Sequence, residues 1–213
     1  MMAVNHENHV SQLFSSNAEG DTYRLVLKNI RYFQRKRNNL SLPSDTIYSA
    51  DVHDVKGLRG CFLANQHVHE SIDQSESNKT LITWDSGKTW QYLNFPTARS
   101  KSSTEWVKIA QKSGQTLNLH LEKTQTDIGF FAPSTLTKDS SPGYIIAHGA
   151  IGDTIQERPD KLNLYFSTDG GRNWRETKPS GMSGRFDAVF RRAGTSVLVS
   201  DKFYLEFRTY FVA

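Results

Sequence analysis

The chain of 213 residues contains one cysteine, Cys61. A lone thiol excludes an internal disulfide and any cysteine-cluster metal site. It lies inside the apolar run "GCFLANQ", which predicts a buried, inert thiol rather than a nucleophile. A single cysteine also suits a reducing compartment. No hydrophobic run approaches the ~18 residues that a membrane-crossing helix needs. The opening "MMAVNHENHV" has no basic n-region and no apolar h-region, so no signal peptide is expected. Helical periodicity is scarce as well.

The composition is that of a folding chain, with 37% apolar and 23% charged residues. Aromatics at 11%, including eight Tyr and four Trp, lean towards β structure. The formal charge is +4, and six cations without an acid fall in "RLVLKNIRYFQRKR", Arg24 to Arg37. That run lacks the interleaved stacking aromatics of a nucleic-acid surface, so it reads as a solvated strand end and loop. Two glycosylation sequons, "NLS" at Asn39 and "NKT" at Asn78, argue against a cytosolic setting.

Short apolar or alternating runs dominate: "YRLVL", "GCFLA", "TLITW", "TLNLHL", "GYIIAHGAI", "LNLYF" and "TSVLV". In "TLNLHL", Leu117, Leu119 and Leu121 fall on one face, and Asn118 and His120 on the other. Polar connectors such as "HVHESIDQSESNK" and "PTARSKSSTEW" separate these runs. Short strands punctuated by turns predict an all-β sandwich, barrel or propeller.

An internal repeat narrows the choice. "LITWDSGKTW" (Leu81 to Trp90) returns as "LYFSTDGGRNW" (Leu164 to Trp174), and "SNAEGDTY" around Gly20 is a degenerate copy with Ala18 in place of Asp. Long, unequal spacing suits four-stranded propeller blades better than short solenoid repeats. Each fixed residue has a local task. Asp85 and Asp169 offer acceptors to backbone N–H groups of their own turn. Gly87 and Gly171 supply positive φ. Thr83 and Ser167 contribute hydroxyls, Thr89 stands where the second copy has Asn173, and Trp90 and Trp174 seal the turn. This set specifies a hairpin and needs no substrate.

The pattern resembles the Asp-box, S/T-x-D-x-G-x-T-W, a folding element of sialidases, other propeller hydrolases and sortilin-type sorting receptors. Four further segments choose among these: "LFSSNAEGDTYRLVLKNI", "VHDVKGLRGCFLANQ", "LNLHL" and "SPGYIIAHGAIGD". Their order and wording are similar to the ten-bladed luminal propeller of the sortilin family, the vacuolar-protein-sorting-ten domain. The likeness runs from about Leu13 to Glu176. It implies an all-β fragment of a ten-bladed β-propeller with four-stranded antiparallel blades and Asp-box hairpins. The expected divisions are 1–50 (blade end and connector), 51–116 and 117–178 (one blade each), and 179–213. That last stretch is a divergent tail, either the start of another blade or a gene-model artefact.

The resemblance implies a non-enzymatic receptor that sorts protein or peptide cargo between Golgi, endosome and vacuole or lysosome. Its setting is luminal, and its membrane attachment lies in segments outside this chain. No nucleic acid, cofactor, metal or catalytic residue is implied. The family's familiar peptide site lies upstream of Leu13, so no ligand residue carries over. Two departures stand out: the loop "RSKSSTEWVKIAQKSGQ" lacks the two cysteines of many members, and the text after "NWRE" does not align.

Other readings stay open at this level. A sialidase-like glycosidase needs an Arg cluster, a Tyr nucleophile and an acidic acid/base, and a glycan-binding or adhesion propeller needs none of these. His67 and His69, with Asp51 and His53, make a weak metal pattern for which surface-loop histidines are the plainer explanation. His148 reads as a core histidine.

Overall fold

Leu63 stands opposite Ile82, and Ala64 opposite Leu81, in adjacent antiparallel strands, and all four are buried. Successive side chains of a strand point to opposite faces, so this sheet is covered on both sides. Leu63 and Ile82 pack with Leu119, Leu121, Ile145, Tyr165 and Trp174. Ala64 and Leu81 pack with Leu13, Leu27 and Ile30. Three sheets are therefore stacked face to face, with the apolar core in two layers between them.

The computed structural model describes residues 2–7, 10–36, 46–68, 78–97, 99, 101–114, 116–122, 124–125, 131–132, 135–137, 139–155, 162–177, 188–192, 195–199 and 204–208. The first sheet joins β1 (Met2–Glu7), β2 (Val10–Ser16) and β3 (Tyr23–Leu27) in chain order. β4 (Tyr32–Lys36) and β5 (Thr46–Ala50) form a separate antiparallel pair. The second sheet is a four-stranded antiparallel meander of β6 (Val52–Asp54), β7 (Phe62–His67), β8 (Asn78–Thr83) and β9 (Gln91–Tyr92).

After helix α1 (Lys101–Lys112) the third sheet begins with β10 (Asn118–Leu121). A small hairpin, β11 (Thr124–Gln125) with β12 (Phe131–Ala132), and the short β13 (Thr135–Leu136) follow. The sheet then runs through β14 (Ile145–Gly152), β15 (Asn163–Ser167) and β16 (Arg175–Thr177). β10 and β13 share one edge of β14, pairing at Gly149–Gly152 and Ile146–Ala147 respectively. In the divergent tail, β17 (Ala188–Arg192), β18 (Thr195–Val199) and β19 (Tyr204–Arg208) make a further antiparallel sheet.

Three features differ from the sequence expectation. The polar connector before β10 contains α1. Its buried contacts are Val107 and Ala110, three residues apart and so on one helical face. Gly114, at φ 75°, stops it.

His120, placed on the polar face of its strand, is 1% exposed, because β10 lies between sheets and has no solvent face. The basic run is not wholly solvated either: Arg31 is buried.

Candidate functional site

The residues marked by the repeat converge on two like clasps. In the first, the Thr83 hydroxyl donates to Asp85 Oδ1 at 2.8 Å and accepts the Gly87 N–H at 3.0 Å. Asp85 in turn accepts the Thr89 N–H at 2.9 Å and the Thr89 hydroxyl at 2.7 Å. These bonds from Thr89 hold the Asp85 carboxyl at about 2, below its ordinary 3.8.

In the second clasp, the Ser167 hydroxyl donates to Asp169 Oδ1 at 2.8 Å and accepts the Gly171 N–H at 2.8 Å. The Asn173 N–H and side-chain amide donate to Asp169 at 2.9 and 2.7 Å. Partial burial pushes the Asp169 carboxyl up, but the bonds from Asn173 and Ser167 outweigh it and the net displacement is downward. Gly87 and Gly171 take φ of 82° and 84°. Both carboxylates are spent inside their own turns, between the third and fourth strands of each sheet.

The two tryptophans differ. Trp174 is fully buried and its indole N–H donates to the Gly171 carbonyl at 2.9 Å. Trp90 packs against the Leu13–Leu81 layer instead, and its indole N–H has no acceptor among the described residues.

The degenerate copy also forms a clasp, centred on a residue that alignment to the boxes overlooks. Asn17 Oδ1 accepts the N–H groups of Gly20 at 2.9 Å and Asp21 at 3.2 Å. Its amide donates to Asp21 Oδ1 at 2.6 Å. Gly20 has φ 79°. The acceptor has moved one position towards the N-terminus of the turn, so Ala18 leaves no gap.

Each full clasp is docked on a glycine earlier in its own sheet. The Ser86 N–H donates to the Gly60 carbonyl and the Gly170 N–H to the Gly143 carbonyl, both at 2.9 Å. Gly60 and Gly143 share φ near 80° (82° and 81°), and a Cβ on Gly60 would lie 2.9 Å from Ser86 Oγ. The clasps are also joined to each other. The Trp84 indole N–H donates to the Gly170 carbonyl at 2.7 Å, and the Arg172 guanidinium lies 4.7 Å from the Trp84 ring centroid.

At the interface of the three sheets is a polar seam. Arg31 Nη1 donates to both Glu122 oxygens at 3.1 Å and lies 3.8 Å from Asp51 Oδ2. The Asn65 amide donates to Asp51 Oδ2 and the Leu121 carbonyl, and its oxygen accepts the Thr80 hydroxyl. The Thr80 N–H donates to His120 Nδ1 at 3.1 Å, which places the imidazole proton on Nε2. Burial pushes His120 down to about 4, so it stays neutral.

Asn39 lies outside the described residues. Asn78 is 3% exposed at the start of β8, and Thr80 of the same sequon is 1% exposed. The folded sheet covers both. His69 is also outside the described residues, His53 Nε2 lies 2.9 Å from Thr137 Oγ1, and His148 is buried on β14. No group of three or more His, Cys, Asp or Glu side chains is placed to hold a metal ion among the described residues. Cys61 is 1% exposed and burial raises its thiol to about 12, which removes it as a nucleophile at neutral pH.

A cleft of about 620 Å³ opens beside the first and second sheets, lined by Ser15, Ser16, Leu58, Arg59, Gly60, Phe62 and Ser86 among others. None of the candidate site residues read from the sequence lines it.

Stacked antiparallel sheets, each with a clasped hairpin on its last two strands, are the arrangement of a partial β-propeller. The comparisons with known proteins specify which kind. The family described as Sortilin-Vps10 (sortilin, neurotensin receptor 3) matches residues 1–183, and the chain belongs to that family. It is 32% identical over 193 residues to sortilin-related receptors of Mus musculus and Homo sapiens, covering 84% of this chain and 8% of each relative. It is 28% identical over 164 residues to the human VPS10 domain-containing receptor SorCS2, covering 77% of this chain and 12% of the relative. The chain thus spans a small part of the curated relatives it matches. Among the described residues, no helix is long and apolar enough to cross a membrane.

Proposed function

We propose that this chain is part of the luminal, ligand-binding propeller of a sortilin-like receptor, ten-bladed when complete. That receptor takes protein or peptide cargo between Golgi, endosome and vacuole or lysosome. The observation that carries the reading is the family match across residues 1–183, with relatives that are receptors by name. The clasps commit Asp85 and Asp169 to hydroxyl and amide donors of their own turn. A carboxylate held in that way has no role left as acid/base or nucleophile.

The test uses the luminal product of the full transcript, presented in parallel to a peptide array, a glycan array and a fluorogenic sialoside. Saturable peptide binding, with blank glycan and hydrolysis channels, is expected. Turnover of the sialoside, or glycan binding without peptide binding, overturns the proposal.

A further inference from the structure

Two basic–glycine pairs follow one another in "KGLRGC": Lys56-Gly57 and Arg59-Gly60. Each sits at the centre of a tight turn. The Leu58 N–H donates to the Val55 carbonyl, and the Cys61 N–H to the Leu58 carbonyl, both at 3.1 Å. Gly57 and Gly60 have φ of 79° and 82°, while Lys56 and Arg59 do not have positive φ. This is the pattern of two successive type II turns. The closing bond of such a turn uses the fourth residue's N–H and leaves the glycine N–H unspent.

In the first turn that N–H holds a carboxylate. Gly57 donates to Asp139 Oδ1 at 3.1 Å, and the Asp139 charge acts on the adjoining Lys56 ammonium. In the second turn the same position has no partner among the described residues. Among the described residues nothing accepts the Gly60 N–H, and the exposed Arg59 guanidinium has no hydrogen bond or ion pair.

Arg59 and Gly60 line the 620 Å³ cleft together with Ser15, Ser16, Phe62 and Ser86. The other charges there are committed: Lys56 pairs with Asp54 at 2.6 Å, and Asp139 is held by Gly57. Among the described residues, Arg59 is therefore the uncommitted charge of the cleft. A guanidinium beside a free backbone N–H is suited to a carboxylate, which accepts from both at once.

We propose that Arg59 and the Gly60 amide form a carboxylate-binding site for an extended peptide lying in this cleft. Leu58 and Phe62 supply apolar contact, and the Ser15, Ser16 and Ser86 hydroxyls supply hydrogen bonds. The carboxylate is a peptide C-terminus or an acidic side chain. The peptide nature of the ligand rests on the receptor reading above, whereas the carboxylate chemistry rests on the turns.

The ¹⁵N-labelled chain is titrated with three short acetylated alanine-leucine peptides: one with a free C-terminus, one C-terminally amidated, and one amidated but carrying an internal aspartate. Sodium acetate is a fourth probe. The Arg59 and Gly60 amide signals shift with at least one carboxylate peptide and not with the uncharged amide. Which of the two carboxylate peptides acts identifies the source. Arg59→Gln weakens that binding about tenfold or more, and Arg59→Lys falls between. An unchanged melting transition in Arg59→Gln shows that the exposed substitution leaves the fold intact.

Equal binding of the uncharged amide, or full binding by Arg59→Gln, overturns the carboxylate site while leaving the receptor reading standing. Arg59-dependent shifts with acetate and none with any peptide retain the site and count against the receptor reading. No shift at Gly60 with any probe overturns the site.

Discussion

Trp84 and Gly170, in the turns of two different sheets, are joined by a 2.7 Å hydrogen bond from the indole N–H to the carbonyl. Gly170 takes φ of 73°, and a Cβ there would lie 2.6 Å from Leu58 Cδ1, so a side chain would have to displace Leu58. Trp84→Phe keeps an aromatic surface for Arg172 and removes the donor together with one ring of the indole. The expected loss is about 1 kcal/mol of unfolding free energy, measured by denaturant titration. Unchanged stability would show that water replaces the indole at no cost.

The Arg31–Glu122 pair calls for a double-mutant cycle. Both side chains are largely buried, at 10% and 5% exposure; removing Arg31 leaves the Glu122 and Asp51 carboxylates without its charge, whereas removing Glu122 leaves Arg31 beside Asp51 at 3.8 Å. Arg31→Met is expected to cost about 3–5 kcal/mol, and Glu122→Leu less, because Asp51 still faces Arg31. The double variant is expected to be more stable than Arg31→Met alone, because one buried carboxylate fewer is left without the guanidinium. Additive losses in the cycle would contradict this.

His120 gives the stability of the stack a pH dependence. Its folded value of about 4 lies below the ordinary 6.5, so the unfolded chain takes up the proton first as pH falls. Stability from the neutral imidazole is complete above about pH 6.5 and declines towards pH 4. The decline is worth about 2 kcal/mol by pH 5. Equilibrium unfolding at pH 7.5 and 5 should show this slope, and His120→Asn should flatten it. A slope unaffected by the substitution would assign the dependence to other groups.

Asn78 is expected to carry no glycan in the folded protein. Its side chain and that of Thr80 are covered, and a glycan needs solvent around the asparagine amide. Secretion of the chain behind an added leader, with Asn39→Gln to clear the other sequon, should give a single band unaffected by glycosidase. A mobility shift that disappears in Asn78→Gln would refute this.

Local chemistry made the clasps legible. Thr83, Asp85, Gly87 and Thr89 are within reach of one another in any turn of that sequence, so their bonds follow from spacing alone. The same holds for Ser167, Asp169, Gly171 and Asn173. What sequence reading could not supply depends on contacts distant in the chain. Arg31 meets Glu122 and Trp84 meets Gly170 only after the sheets stack. His120 loses its solvent face for the same reason. Asn17 is harder to read, because the Asp-box pattern puts the carboxylate two residues before the glycine, whereas in this turn the acceptor stands three residues before it. The second turn of "KGLRGC" carried a signal in its repeated basic–glycine pairs, but only the occupied first turn shows what such a pair binds.

The docking of Ser86 on Gly60, and of Gly170 on Gly143, bears on how the molecule comes apart. Each hairpin is bolted to an earlier turn of its own sheet, and Trp84 then fastens one hairpin to the next. The smallest unit that opens independently is therefore larger than one sheet. In hydrogen exchange the amides of Gly87 and Gly171, though they lie in surface turns, should be released together with the strand interiors. A protease probing these turns would meet closed structure until neighbouring sheets part as one.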